Sequence, residues 1–111
     1  MMNSGDIYAA FLDPVLDAEQ GGRRPVVIIS GNAVNQNAPN VIVCPITTSI
    51  KKYHGDVILQ PSSENGLSKV SEILNIHIRS ISKNRLKLRI GAISKLELAK
   101  THHAIIDMLK Y

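Results

Sequence analysis

A chain of 111 residues, 44% apolar and 20% charged, has room for one modest core and is too apolar to stay disordered. Thirteen Lys and Arg against nine Asp and Glu leave a net charge of +4, which suits a polyanionic partner without demanding one. No apolar run approaches the roughly 18 residues of a membrane span, and the opening "MMNSGD" lacks a signal-peptide core, so a cytoplasmic protein with no membrane contact is expected.

In chain order, "DIYAAFL" (6–12) reads as a first strand, ended by Asp13-Pro14. The stretch "EQGGRRPVVIIS" (19–30) then passes abruptly from charge and glycine to solid apolarity. Arg23 and Arg24 stand at the mouth of the strand 25–30, where an arginine is costly unless it meets an anion. "PVVIIS" (25–30) and "NVIVCPI" (40–46) are β-branched runs that suit strands buried on both faces; Cys44, the single cysteine, belongs to that core. "GDVILQP" (55–61), "EILNIHIRSIS" (72–82) and "LKLRIGAI" (86–93) follow as strands, with Gly-, Pro-, Asn- and Ser-rich connections such as "GNAVNQNAP" between runs. If 72–82 is one strand, alternation puts Asn75, His77 and Arg79 on one face and Leu74, Ile76 and Ile78 on the other. Three polar positions on one strand face suit a binding surface as well as a solvated one.

Only the end of the chain reads as a helix. Ser94 and Glu97 match a capping box, and Leu96, Ala99, His103, Ile106 and Leu109 recur at three- and four-residue spacing as a face to pack on the sheet. Six closely spaced strands and this helix predict a small, curved, mainly β domain. The "NVIVCPI" strand with Ile105, Ile106 and Leu109 offers more apolar surface than one thin core hides, so a twofold dimer is expected.

The chain has no Walker loop, GxGxxG, GxSxG elbow or CxxC. His102 and His103 are adjacent, so they point roughly 100° apart on a helix and cannot share a metal; one is expected at the helix–sheet contact and one in solvent. His54, in "KKYHGD", reads as a surface residue. No metal site and no cofactor are expected.

In order and spacing, "GDIYAAFLDP", "EQGGRRPVVIIS", "VIVCPITTSI" and "IRSISKNRL" resemble the MazF/PemK/Kid toxin endoribonucleases from Gly5 to the final helix. E-Q-G-G-x-R-P-V followed later by P-I-T is the most specific part. The resemblance implies one toxin domain over 1–111, mainly β (α+β), a small SH3-like β-barrel with a C-terminal helix, usually a homodimer. It implies metal-independent, sequence-specific cleavage of single-stranded RNA, messenger RNA above all, and a cognate antitoxin as partner; the toxin alone is not expected to bind DNA. The family's catalytic arginine falls on Arg24, its catalytic threonine on Thr47, and the glutamate of its first loop on Glu19.

Those roles suit the chemistry. Cleaving RNA without a metal means attack by a ribose 2′-oxygen on the neighbouring phosphate, which needs a proton acceptor and donors that stabilise the phosphorane. A guanidinium fork meets two phosphate oxygens and keeps its charge; Thr47 can donate to a third, with Thr48 assisting. Glu19 is the acceptor, or an anchor for Arg24 when RNA is absent. Pro25 biases Arg24 to an extended backbone, and Arg23 is expected to be a solvated or backbone-contacting charge. Rings are few, so base recognition falls to hydrogen bonds from loops 13–23 and 47–55, which carry Gln20, Gly22 and Thr48. Lys51 and Lys52 supply counter-charge, as can Lys83, Arg85, Lys87 and Arg89, although that run also reads as a solvated edge.

His77 stands where relatives commonly carry glutamine, and Arg79 is expected to help hold the scissile phosphate. An imidazole there can exchange a proton near neutral pH or simply replace the amide's hydrogen bond. Two other functions fit the same barrel: a nonenzymatic module binding RNA or protein, and a gyrase-poisoning toxin of the CcdB type. Arg24 together with Thr47 favours the ribonuclease.

Overall fold

The computed structural model describes residues 2–12 and 23–110. In chain order these form β1 (Asp6–Phe11), β2 (Arg23–Ile28), α1 (Asn32–Asn37), β3 (Asn40–Thr47), β4 (Val57–Leu59), β5 (Ser71–Ile73), β6 (Arg79–Ser82), β7 (Leu86–Ala92) and α2 (Lys95–Met108). Single 3₁₀ turns occupy Asn75–His77 and Lys83–Arg85. The strands make one antiparallel sheet in the order β4-β5-β3-β2-β1-β7, with β6 also paired to β3. This mainly β half-barrel with a C-terminal helix is the expected fold class.

The long apolar β3 is the spine. One edge pairs with β2, while the other pairs with β6 along Asn40–Val43 and with β5 at Ile46 and Thr47. The expected strand 72–82 does run antiparallel to β3, but as two pieces. Ile73 faces Ile46 and Arg79 faces Val43, so six residues on one side span three on the other; the excess coils into the 3₁₀ turn. Strict alternation is lost there, and Asn75, His77 and Arg79 do not share a face. Asn75 is buried, and its backbone N–H donates to Asp56 Oδ1 at 3.1 Å, whereas His77 and Arg79 are exposed.

Continuous apolar strands imply burial on both sides, and the sheet has two cores. Ile7, Val27, Cys44, Ile46 and Ile73 face α2, which contributes Ile105. Ala10, Val26, Ile28, Val43 and Ile81 face the other way, with Met2 and Leu12 packed against them. Cys44 is fully buried, as expected, and burial pushes its thiol up to about 12, with the Asp56 charge adding to the effect.

Two local expectations need correction. "GNAVNQNAP" contains the short helix α1 rather than only a loop: Gly31 is its N-cap, Asn35 is buried, and Ser30 Oγ donates to Asn35 Oδ1 while Asn35 Nδ2 donates to Ser30 O at 2.8 Å. On α2 the packed face is the other one. Leu98, Thr101, His102, Ile105 and Met108 turn inward, while Leu96, Ile106 and Leu109 are 65%, 55% and 76% exposed. The inward stripe contains polar residues that have local partners: Thr101 Oγ1 donates to Glu97 O at 2.9 Å, and His102 Nε2 lies 2.8 Å from Ile29 O. Buried polar groups with partners cost little, so apolar spacing alone pointed to the wrong side. His102 packs and His103 is exposed, as expected of the pair.

The capping box is present: Ser94 Oγ accepts from Glu97 N–H at 3.0 Å, and Glu97 Oε1 accepts from Ser94 N–H at 2.8 Å. Ser94→Ala is expected to cost about 1 kcal/mol, read as a fall of several degrees in melting temperature by circular dichroism.

Candidate functional site

The chemistry-bearing residues gather at one end of the sheet through strand register. Arg24 on β2 faces Ala10 on β1, and Thr47 at the end of β3 faces Glu72 on β5. The β2–β3 register pairs Val26 with Pro45; carried two residues further, it sets Arg24 beside Thr47. Val26, Ile28, Val41 and Val43 belong to the second core, and alternation puts Arg24 and Thr47 on that same face. Arg24 is half-buried, Thr47 is 8% exposed and Glu72 is fully buried. The row Arg24–Thr47–Glu72 therefore descends from surface to interior across three strands.

Thr47 ends its strand in a hydroxyl-capped turn, with Oγ1 accepting from Ser49 N–H at 3.0 Å. That bond occupies a lone pair and leaves the hydroxyl hydrogen to be donated elsewhere. Thr48, Lys51 and Lys52 follow on an exposed loop. The connection between β1 and β2 opens from the same end, since Phe11 and Arg23 are its nearest paired residues. Glu19, Gln20 and Gly22 belong to that connection and lie outside the described residues.

Positive charge converges here as well. The Arg23 guanidinium lies 5.6 Å from the Phe11 ring centre, and Lys87 Nζ lies 5.8 Å from it. Arg23 is thus a ring contact, beyond the solvated or backbone-bound charge expected of it, and such cation–π contacts contribute roughly 0.5–1 kcal/mol at exposed sites. Arg85 Nη1 donates to Phe11 O at 3.4 Å, and Arg89 pairs with the buried Asp6 at 3.2 Å. The 83–89 run is therefore partly engaged in joining β7 to β1.

Two expected RNA contacts stand away from the row. Arg79 faces Val43, four residues along β3 from Thr47, or roughly 13 Å at the usual strand rise. His77 lines a groove of about 730 Å³ between loop 53–56, the 3₁₀ turn and α2, with Tyr53, His54, His103 and Asp107. Neither Arg24 nor Thr47 lines that groove. Continued register brings Arg24 level with Thr47; His77 does not join them.

A carboxyl pair escaped the sequence reading. Glu72 Oε1 accepts from Lys51 N–H at 2.6 Å and Lys52 N–H at 2.9 Å, and Oε2 accepts from Tyr53 N–H at 3.2 Å. Burial works to raise its pKa, but its hydrogen bond with Asp56 and these three amides hold it below the usual glutamate range. Asp56 is pushed up to about 6, first by burial and then by the bond to Glu72. Asp56 Oδ2 is buried and meets no donor, so a proton on Asp56 removes the misfit by donating toward Glu72. A glutamate inside the apolar run "SEILNI" was the signal available beforehand.

Comparison with known proteins identifies the family. The model of the PemK-like, MazF-like toxin of type II toxin–antitoxin systems matches residues 3–109. The chain belongs to that family. Endoribonuclease MazF of Staphylococcus saprophyticus is 42% identical over 106 residues, covering 95% of this chain and 88% of the relative. Among solved structures, Mycobacterium tuberculosis toxin MazF-mt6 superposes with a TM-score of 0.77 at 26% identity, covering 96% of this chain and 99% of that one. A mycobacterial endoribonuclease in complex with its cognate antitoxin gives 0.78 at 21% identity over 98% and 97% of the two chains, a likeness of fold. The protein is thus placed in the MazF-type endoribonuclease family by sequence and fold together.

The carboxyl pair in this MazF-family chain makes stability pH-dependent with a definite sign. Asp56, raised when folded, stabilises fully below the ordinary aspartate value of about 4, and that contribution is lost as pH rises through about 6. Glu72, lowered when folded, acts oppositely: its contribution is complete above the ordinary glutamate range and is lost as pH falls below it. The wild-type melting temperature should therefore fall between about pH 5 and about pH 7.5. Asp56→Asn, which keeps a donor toward Glu72 at every pH, should lose less over that interval. Parallel melting curves for the two proteins across this range would refute the assignment.

Proposed function

We propose that the protein is the toxin of a type II toxin–antitoxin system, a metal-independent, sequence-specific endoribonuclease acting on single-stranded RNA, messenger RNA above all. The observation that supports this reading is the β2–β3 register, Val26 opposite Pro45, whose continuation by two residues brings Arg24 level with Thr47 at the exposed end of the sheet. A guanidinium and a threonine hydroxyl able to donate its hydrogen are the donors a phosphorane needs.

In the reaction, the ribose 2′-oxygen bonds to the adjacent phosphorus and loses its proton to Glu19. Arg24 and Thr47 stabilise the charge on the equatorial oxygens. The bond to the 5′-oxygen breaks and that oxygen takes up a proton, leaving a 2′,3′-cyclic phosphate and a 5′-hydroxyl. Gln20, Gly22, Thr48, Lys51 and Lys52 hold the strand near the cut, while His77 and Arg79 contact nucleotides further along it. The reading treats 1–111 as one toxin domain working in the cytoplasm, where it inhibits growth until an antitoxin binds it. A solved mycobacterial relative in complex with its cognate antitoxin supports such a partner. A twofold homodimer would cover the exposed apolar residues of α2, Leu96, Ile106 and Leu109.

The test is incubation with a defined single-stranded RNA in EDTA, followed by mapping of the ends. Cyclic phosphate and 5′-hydroxyl products are expected, and one deoxyribose at the cleavage position should block the cut without blocking binding. Removing a charge-stabilising donor typically costs about 10²–10³ in rate, so Arg24→Ala and Thr47→Ala should lose cleavage to that degree while melting as folded proteins. Lys51→Ala with Lys52→Ala should mainly weaken RNA binding and flatten its salt dependence. Wild-type cleavage by Arg24→Ala would overturn the site.

A further inference from the structure

We propose that Glu72 is a positioning residue for RNA cleavage, its buried carboxylate clamping the backbone of Lys51–Tyr53 and so fixing the loop beside Thr47, with the Asp56 carboxyl packed behind it. The proposal rests on the ribonuclease reading and goes beyond it by naming a device that none of the catalytic assignments includes.

The geometry is direct. Glu72 is fully buried and stands opposite Thr47 in the β3–β5 register. Its two oxygens accept three consecutive backbone N–H groups, at 2.6, 2.9 and 3.2 Å. Successive amides turned toward one anion form a small concave cradle. Lys52, in the middle, sits at φ 56°, in the left-handed region, which costs a residue with a side chain roughly 1–2 kcal/mol. Convergence of three amides on one carboxylate is the visible reason the backbone holds that turn. Thr47 and the loop are thus tied to the same group from two sides, by strand pairing and by the clamp.

A carboxylate sunk in the interior needs partners at every oxygen. Glu72 has its three amides, and Asp56, at the far end of the same loop, lies against the same carboxylate. Asp56 Oδ1 accepts from Asn75 N–H at 3.1 Å while Oδ2 is buried with no donor. A proton on Asp56 turns that oxygen into a donor toward Glu72 and closes the loop at its second end. Without it, two negative charges face each other and the loop loosens. Other titratable groups surround the pair: Cys44 from β3 beside Asp56, and His54, His77, His103 and Asp107 along the adjoining groove, with the Lys51 and Lys52 ammonium groups on the loop itself. These groups are common to both proteins, so the informative quantity is the ratio between Asp56→Asn and wild type.

The experiment measures single-turnover cleavage of a defined RNA, separating the saturating rate from the RNA concentration that gives half of it, with amide hydrogen exchange at Lys51, Lys52 and Tyr53 read in parallel without RNA. In Glu72→Gln, which leaves one acceptor oxygen for three amides, exchange protection at these residues should be lost. Its saturating rate should drop at least tenfold, because Thr47 is displaced, and its RNA requirement should rise. Asp56→Asn should match wild type at pH 5 and exceed it at pH 8, both in cleavage and in protection, giving a ratio that climbs through about pH 6. A merely structural role would lower the melting temperature and leave that ratio flat. If Glu72→Gln does not fold, Asp56→Asn alone decides: a pH-independent ratio overturns the proposal. Wild-type protein that leaves the RNA intact while protection follows the stated pattern refutes the ribonuclease reading and the catalytic part of this one. Unchanged protection with cleavage intact refutes the clamp alone.

Discussion

Backbone pairing along both edges of β3 is the constraint on which the rest of the molecule depends. A buried strand must find partners for its N–H and C=O groups, and β3 pairs with β2 on one side and with β6 and β5 on the other, while the Ile42 N–H donates to Ser30 Oγ. Once those registers are set, residues far apart in sequence become neighbours without any direct attraction between their side chains. Arg24, Thr47 and Glu72 fall into one row for this reason. The row also grades burial, from a half-exposed arginine through a nearly covered hydroxyl to an interior carboxylate. An anion reaching the end of the sheet meets the donors first, and the buried negative charge stays behind them.

The placing of charge follows the same plan. Three basic side chains, Arg23, Arg85 and Lys87, contact Phe11 at the strand ends, Arg24 follows Arg23 on β2, and Lys51 and Lys52 lie on the loop that follows Thr47. The net charge of +4 is modest, but so many cations at one end of a small sheet make that end attractive to a phosphate backbone. Acidic groups near the site are withheld from the incoming strand. Glu72 commits its oxygens to three amides, and Asp56, pushed up to about 6 first by burial, stands behind it.

Helix α2 shows how a helix with two candidate faces chooses between them. Its inward stripe includes Thr101 and His102, each with a partner on the protein. Its outward stripe keeps Leu96, Ile106 and Leu109 exposed. The helix covers the first core with mixed residues and offers a purer apolar strip to the outside, an arrangement suited to a second surface.

The amino-acid sequence by itself determined the strands of high β-branched content, the capped C-terminal helix, the buried cysteine and the family motifs that single out Arg24 and Thr47. Those features are local or lie within short windows, where side-chain type and backbone preference coincide. Tertiary structure alone decided what depends on register and on which partner a polar group finds. The break of 72–82 into two strands follows from three residues in excess against β3. The orientation of α2 goes with the contact between His102 and the Ile29 carbonyl, 73 residues away in the chain, while Thr101 satisfies its hydroxyl within the helix on Glu97 O. The separation of His77 from Arg24 goes with the 3₁₀ turn, and the clamp at Glu72 requires amides 21, 20 and 19 residues away in the chain. A buried glutamate in an apolar run announces that it must have partners; only the folded chain says that those partners are the backbone of the loop beside Thr47, because long-range pairing has no signature in local composition.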